Sequence, residues 1–331
     1  MGTCGQKVLR FMKDWTLPLG MAGGALAYVL FHCFPVLSPL KPAAERVAAD
    51  VIPSFMFLML FFTFCKVNPR ELRPRRWHLW LLLIQVTGTF GVVALLQWLP
   101  WLSGRMTWEG VLVCLICPTA AAAPVVTAKL GGNETSLTMY TILSNTAAAV
   151  VIPLAFPMVE PSLELPFLSQ FLLILSKVFP LMIMPLLLAW AVRWLLPWLH
   201  GWILRRCRNM AFYLWAFNLT VVIGQALRAM VNGTEPWSEK TALAVAGLVC
   251  CVALFAAGKL IGTRYGDRIS AGQALGQKNT VFAIWVAYMY LPPVIALAPS
   301  SYILWQNIIN SWQIERRQLA ERRTAGHRLN G

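Results

Sequence analysis

The stretch that decides the fold reads ALGQKNTVFAIWVAYMYLP and covers residues 274–292. From Thr280 onward it is apolar enough for the hydrocarbon core of a bilayer, but Lys278 and Asn279 come directly before that run. A lysine at the centre of a transmembrane helix costs about 3 kcal/mol on insertion scales. Irregular backbone at membrane depth is tolerated only where it lines a cavity or is buried in protein. The stretch therefore predicts an interrupted helix at a functional position.

The composition is that of an integral membrane protein. Of the 331 residues, 58% are hydrophobic and 12% are charged, whereas a soluble domain carries about 25% charged residues. Alternating strands of about ten residues, the signature of a membrane barrel, are absent from the sequence. The histidines and cysteines show no metal-site spacing, and the apolar segments contain no nucleophile–base pair. We expect an all-α membrane protein that is not an enzyme and needs no cofactor.

Runs of about 20 mostly apolar residues mark candidate transmembrane spans. The sequence predicts ten of them, at 15–34, 50–65, 77–100, 108–130, 135–157, 167–195, 208–228, 239–262, 268–291 and 293–314.

The basic residues give these spans an orientation. Twenty-one lysines and arginines fall on the side of the N-terminus, and five fall on the opposite side. Cytoplasmic loops are enriched in such residues, so both termini are expected in the cytoplasm, with 315–331 as a basic cytoplasmic tail. This topology and the attraction of basic residues to anionic lipid headgroups account for the net charge of +15. The protein is expected in the plasma (inner) membrane, with no nucleic-acid partner.

Ten spans divide into two halves of five, covering 15–157 and 167–314. An odd number of spans per repeat inverts the second copy, as in many secondary transporters. The predicted irregular points, Ala123-Pro124 in the fourth span and Lys278-Asn279 in the ninth, are separated by about the same offset as the halves themselves. The pattern therefore predicts two inverted five-helix repeats in which helices 4 and 9 are broken and cross.

Broken helices have a chemical use at membrane depth. The fourth span contains Pro118 and Pro124, each of which lacks a backbone N–H and disturbs the preceding turn. The N-termini of half-helices present free N–H groups and the positive end of the helix dipole to an anion. The alternative is that proline and glycine merely kink these helices, but matching breaks in the two halves favour a substrate site between them.

The chain resembles the bile acid:sodium symporter family over residues 15–312. Two motifs carry the resemblance, CPTAAAAPVVTAKLGGN at 117–133, which includes Thr127, and GQKNT at 276–280. The stretch LWQNIINSW at 304–312 is also similar, with Gln306 where the family usually has histidine. The resemblance implies a panel domain, a core domain with two crossing broken helices, and alternating access between the two domains.

Several ligand positions of the sodium-using members are altered in this chain. In the family's register, Ala274 stands in place of a glutamate, Lys278 in place of a glutamine, and Ala123-Pro124 in place of Ser-Asn. Gln85, Thr141 and Asn279 match residues that the family retains. Because a hard cation prefers oxygen ligands and a balancing carboxylate, we expect transport that is independent of sodium.

Lys278 is expected to stand where the cation would bind and to contact Gln85, Thr141 and carbonyl groups of the break. It is also a candidate proton carrier. The alternative is a lysine that snorkels to the membrane surface. The predicted substrate and ion pathway comprises Gln85, Ala123, Pro124, Thr127, Thr141, Ala274, Gln277, Lys278, Asn279 and Thr280.

The favoured function is secondary transport of a small organic anion. A metalloid or other small-solute exporter of the same architecture is an alternative, with the Cys117 thiol as a substrate contact. A membrane sensor built on a transporter scaffold is a further alternative, since the sodium ligands are lost.

Overall fold

A computed structural model describes residues 16–99, 101, 103–159, 165–207 and 209–329. The N-terminal basic residues that contributed to the predicted orientation, Lys7, Arg10 and Lys13, lie outside these residues, and so does the first residue of the first predicted span. The described residues form α-helices that are joined by short 3-10 turns and non-helical segments. Their one β-type pairing is an isolated antiparallel bridge between Thr119 and Lys278.

The helices of the first half follow the predicted spans with one interruption. They are α1 (Thr16–Cys33), α2 (Lys41–Cys65), α3 (Arg76–Trp98), α4 (Arg105–Ile116), α5 (Ala123–Lys129) and α6 (Glu134–Val159). The predicted fourth span is divided between α4 and α5.

The helices of the second half contain further interruptions. They are α7 (Phe167–Met182), α8 (Met184–Leu195), α9 (Pro197–Arg206), α10 (Met210–Asn232), α11 (Trp237–Arg264), α12 (Arg268–Gly276), α13 (Thr280–Tyr290) and α14 (Leu297–Leu329). The predicted ninth span is divided between α12 and α13.

Length and apolar character support a multi-pass membrane protein. Five helical segments are long and apolar enough to cross a bilayer, namely Arg76–Trp98, Glu134–Val159, Phe167–Leu195, Tyr213–Asn232 and Trp237–Arg264. Three shorter apolar segments are Ala22–Cys33, Asp50–Cys65 and Thr280–Tyr290. An all-α membrane architecture is therefore supported, while the arrangement as ten spans in two inverted repeats stays a prediction.

Some boundaries differ from those predicted. Helix α2 begins at Lys41 rather than near 50, with Pro42 in its first turn, where a missing N–H costs nothing. Helix α14 runs well past the predicted end of the last span, to Leu329, because alanine, glutamate, arginine and leucine in that tail favour helix strongly. Hydrophobicity locates the membrane part of a helix, and helix propensity extends it beyond.

The predicted sixth span is also interrupted. It breaks at Ile183 between α7 and α8, where Pro180 precedes and Pro185 follows the break. Neither proline can donate a backbone hydrogen bond to the preceding turn. The following helix α9, which the span prediction did not include, exposes Trp198 and Trp202 on a short segment between the sixth and seventh spans.

Close packing of α11 on α12 fixes the position of the second break. Gly258 and Gly262 of α11 form a Gly-x-x-x-Gly pair, which allows two helices to approach closely in a membrane. A Cβ atom at Gly258 would lie 2.4 Å from the carbonyl oxygen of Ala271, and one at Gly262 would lie 2.6 Å from that of Asp267. Backbone therefore meets backbone at both points, and α12 has no freedom to shift toward α11.

We predict that Gly258→Ala destabilises the protein by about 1–3 kcal/mol, because the added methyl group meets backbone that cannot rotate away. Gly91→Ala is the matched control, since Gly91 lies within helix α3 and a Cβ there meets nothing within 4 Å. Thermal denaturation of the detergent-solubilised protein measures both variants. Equal midpoints for Gly258→Ala and Gly91→Ala would contradict this account of the packing.

Candidate functional site

The first break separates α4 from α5. Helix α4 ends at Ile116, residues 117–122 are non-helical, and α5 begins at Ala123. The interruption was predicted near Ala123-Pro124, and the structure places it slightly earlier, in the residues that end directly before this pair. Pro124 lies in the first turn of α5, where a missing N–H is harmless, whereas Pro118 lies inside the break itself.

The second break lies where it was predicted, between α12 and α13. Helix α12 ends at Gly276, and α13 begins at Thr280 with Asn279 as its N-cap. The Asn279 Oδ1 atom accepts a hydrogen bond of 3.3 Å from the backbone N–H of Phe282. This is the usual way in which asparagine satisfies a free donor in the first turn of a helix.

The two breaks pair with each other as a minimal antiparallel ladder. The backbone N–H of Ala120 donates to the carbonyl of Gln277, and the N–H of Asn279 donates to the carbonyl of Pro118, both at 2.8 Å. These bonds flank the Thr119–Lys278 pair on either side. Exchanging the two strands leaves the pattern unchanged, so the crossing has local two-fold symmetry.

The backbone N–H groups of Thr119 and Lys278 point away from the ladder, and their hydrogen bonds follow the same two-fold symmetry. The N–H of Thr119 donates to Ser144 Oγ of α6, and the N–H of Lys278 donates to Gln306 Oε1 of α14, each at 3.1 Å. Helices α6 and α14 each follow the break that they support. Every backbone donor of the central pair therefore has a partner, as buried backbone requires.

The side chains of the central pair cap the opposite broken helices. Thr119 Oγ1 donates to the carbonyl of Ala274 near the end of α12 at 2.7 Å. Lys278 Nζ donates to the carbonyls of Cys117 at 2.8 Å and Leu115 at 3.3 Å at the end of α4. The last carbonyls of a helix lack intrahelical donors and carry its negative dipole end, so a cation at α4 is electrostatically favoured.

Lys278 is enclosed at this position. Its side chain is 1% exposed, and it forms no ion pair with a carboxylate in the part of the chain that the structure describes. A lysine whose ammonium group is bonded to the interior end of a half-helix does not snorkel to the surface. The geometry therefore disagrees with the snorkelling alternative and leaves one positive charge inside the crossing.

Gln85 has a different role from the expected one. Its Nε2 atom donates to the carbonyls of Ile116 and Cys117, both at 3.1 Å, and its Oε1 atom accepts from Ser144 at 3.2 Å. Gln85 therefore shares the end of α4 with Lys278 as a second donor and does not accept a hydrogen bond from it.

The other predicted residues fall into three groups. Thr141 was expected to contact Lys278, but its Oγ1 atom donates to the Leu137 carbonyl within its own helix, and the ammonium group of Lys278 donates to other carbonyls. Three of the predicted residues each have a buried polar atom without a hydrogen-bond partner among the described residues, namely Thr127 Oγ1, Gln277 Oε1 and Asn279 Nδ2. Two of these three belong to the second break itself. The remaining predicted residues are buried in the helix ends next to the breaks. They are Ala123 and Pro124 at the start of α5, Ala274 near the end of α12 and Thr280 at the start of α13.

The residues present do not suit a sodium ion in the family's usual manner. Ala274 supplies no carboxylate, and the Lys278 ammonium group occupies the Cys117 and Leu115 carbonyls. The described residues contain no group of three or more histidine, cysteine or acidic side chains arranged for a metal ion. A second cation beside the ammonium group would meet like-charge repulsion without a compensating carboxylate.

Sequence reasoning missed several residues that build the crossing. Thr119 and Ser144 were not selected, and neither was Tyr302, whose hydroxyl group donates to the carbonyl of Gly276 at 2.7 Å. The Cys117 thiol donates to the carbonyl of Asn279 at 3.3 Å. A usable signal existed only for Thr119, because it follows Pro118 in the break; a lone serine or tyrosine inside a span carries no comparable mark.

Comparison with known proteins identifies the family. A model of the sodium bile acid symporter family matches residues 53–233, which is more than half of the chain. The matched region includes the first break and ends before the segment that carries Lys278. A comparison with curated individual proteins gives no match. On the strength of the family match and its apolar helices, the chain belongs to the sodium bile acid symporter family of multi-pass membrane transporters, which are not enzymes.

Proposed function

We propose that this chain transports a small organic anion by alternating access, independently of sodium, with the Lys278 ammonium group as a built-in replacement for the coupling cation. The observation that carries the proposal is the bonding of Lys278 Nζ to the Cys117 and Leu115 carbonyls at the end of a broken helix. Unwound carbonyls and the C-terminal ends of half-helices are the groups that bind the coupling cation in transporters of this kind.

The proposal includes ten spans arranged as two inverted repeats. A two-fold axis in the membrane plane brings equivalent segments of the two halves together antiparallel at the axis. The Thr119–Lys278 ladder has this symmetry, and helices α6 and α14 support its two strands in equivalent ways. The local symmetry of the crossing thus supports the repeat on grounds that are independent of hydrophobicity.

An ammonium group suits the position chemically. It donates hydrogen bonds to carbonyl oxygens that would otherwise face a metal cation, and it balances the negative end of the α4 dipole. Unlike sodium, it is covalently attached and cannot dissociate during the transport cycle. The end of α4 is therefore capped permanently, with no requirement for an external cation.

The charge at the crossing favours an anionic substrate. Lys278 has no carboxylate partner in the described chain, so its charge is balanced only by carbonyl dipoles. The unpartnered atoms Gln277 Oε1, Asn279 Nδ2 and Thr127 Oγ1 provide one acceptor, one donor and one hydroxyl group near the broken segments. Such a site suits a small solute that has a negative charge and a few hydrogen-bonding groups.

The metalloid alternative has less support. Its thiol contact would be Cys117, but that thiol already donates to the carbonyl of Asn279 inside the crossing. Engaged in this way, the thiol contributes to the structure of the break. The sensor alternative makes a different prediction, because a sensor binds its ligand without moving it across the membrane.

We predict that uptake into proteoliposomes changes by less than about twofold when sodium is replaced by potassium or choline at fixed ionic strength, because the sodium ligands are absent. A radiolabelled bile acid is the first probe, followed by a panel of smaller carboxylates. Steep dependence on sodium would contradict the proposal. Saturable binding of a probe without any uptake or counterflow would favour the sensor instead.

Lys278→Met tests the role of the charge. The variant is expected to remain folded, since the charge that was costly to bury is removed and the Cys117 carbonyl keeps its bond from Gln85. Transport is nevertheless expected to fall by more than about tenfold, the scale of removing one buried and hydrogen-bonded charge from a binding site.

Lys177→Met is the matched control for this experiment. Lys177 is an exposed lysine within helix α7 and receives the same substitution. We expect parental transport in this control and parental expression and thermal stability in both variants. If Lys278→Met transports at the parental rate, the ammonium group is only a structural cap and the proposed mechanism is wrong.

A pH gradient tests whether the same lysine carries a coupled proton. We expect uptake by the parent protein to respond to an imposed gradient and uptake by Lys278→Met to lose that response, because methionine does not titrate. The measurement compares initial uptake rates with equal and unequal internal and external pH at fixed membrane potential. An identical response in parent and variant would assign proton coupling to another group. The absence of any response in the parent would show that transport is not coupled to protons.

A further inference from the structure

A basic cavity lies between the C-terminal part of α11, the start of α12 and the middle of α14, away from the crossing. Its volume is about 360 Å³, at the lower end of the range for ligand pockets. The lining residues are Leu130, Lys259, Arg268, Ile269, Trp312, Gln313, Arg316 and Arg317. The proposed transport mechanism does not involve this cavity, and none of its basic residues belongs to the motifs that carry the family resemblance.

The lining carries four positive charges and no negative one. Lys259, Arg268, Arg316 and Arg317 supply the charges. The adjacent carboxylate, Asp267, is turned to another partner, since its Oδ2 atom lies 3.2 Å from Nη1 of Arg75. Bringing four cations together around one cavity costs free energy through mutual repulsion, which a bound anion of high charge would relieve.

The arrangement of these groups suits a phosphate. Arg316 lies over the Trp312 ring at 4.6 Å, which holds its guanidinium group in one orientation. Arg268 and Ile269 form the first turn of α12, so the positive end of that helix also faces the cavity. Arginine guanidinium groups match phosphate oxygens bidentately, and a lysine adds a compact point charge.

We propose that this cavity is a binding site for a phosphate-bearing anion. The ligand is either the headgroup of an anionic phospholipid or a free phosphate compound, since both present the same chemistry to the four basic groups. The positive-inside rule predicts that this side of the protein faces the cytoplasm, where basic pockets between transmembrane helices bind lipid headgroups.

The position of the cavity gives such a ligand a route to the transport machinery. Arg317 donates to the carbonyl of Leu130, directly after α5, the second half of the first broken helix. Arg268 begins α12, the first half of the second broken helix. An anion in the cavity therefore bridges the ends of both broken helices to the long helix α14.

Binding measurements on the full-length protein test the proposal in two arms. In the first, inorganic pyrophosphate is titrated against protein in phosphatidylcholine nanodiscs at fixed ionic strength. In the second, native mass spectrometry counts phosphatidylglycerol and phosphatidylcholine molecules retained by protein in a neutral detergent. Saturable pyrophosphate binding assigns a free phosphate compound, and selective retention of phosphatidylglycerol assigns a lipid headgroup.

Two variants that each remove two positive charges distinguish a specific binding site from a general attraction of anions to the basic surface. We expect Lys259→Gln/Arg268→Gln to weaken binding of the responding probe by about tenfold or more, and Arg205→Gln/Arg206→Gln, which removes two exposed charges from α9, to change it by less than about twofold. Arg316→Gln is a further test on an exposed side chain that can be removed without disturbing the helix packing. Equal weakening in the α9 control, or no saturable binding of either probe to the parent, would overturn the proposal.

Discussion

A helix that stops inside a membrane exposes carbonyl groups that have lost their donors, and lipid cannot supply replacements. Both broken helices of this chain meet that constraint at one place. Thr119 donates to the end of α12, and Lys278 donates to the end of α4. The antiparallel ladder between the breaks brings each side chain to the opposite helix end. The crossing is therefore held together by reciprocal capping, and the supporting positions of α3, α6 and α14 depend on it.

The backbone of the crossing is symmetrical, whereas its chemistry is not. One central residue contributes a neutral hydroxyl group, and the other contributes an ammonium group. A hydroxyl donor satisfies a carbonyl at little cost, but a buried charge is costly unless its surroundings compensate for it. The two carbonyls at the end of α4 that accept from Lys278 provide that compensation through their dipoles, whereas Gln85 is a second donor to the Cys117 carbonyl. The asymmetry leaves a single positive charge at the crossing, and under the proposed function that charge takes the place of a coupling cation.

The sequence was sufficient to predict an all-α membrane protein and the interruption at Lys278, while the role of that lysine in transport stays a prediction. It placed the first interruption a few residues too late, because two prolines six positions apart are equivalent in a pattern, and only helix geometry shows that Pro124 is harmless in a first turn. It assigned Thr141 to the lysine, although that hydroxyl group bonds within its own helix. Ser144 and Tyr302 were missed because their roles depend on which face of a distant helix meets the break, and one sequence does not contain that information. Short-range chemistry was therefore predictable, and long-range partners were not.

Under the proposed function, a tethered cation changes the energetics of transport as well as the structure of the site. In a sodium symporter, the ion binds and leaves in each cycle, so its gradient can drive the substrate through the differential affinity of the two states. An ammonium group on Lys278 crosses no membrane and carries no gradient. Its charge can favour an anion in the site, but it favours that anion equally from either side unless the two states differ in how they hold the lysine. Net accumulation would therefore require a gradient other than that of sodium, and the simplest one available to an amine is the proton gradient. Without proton exchange at Lys278 or elsewhere, the same architecture would equilibrate or exchange its substrate rather than concentrate it.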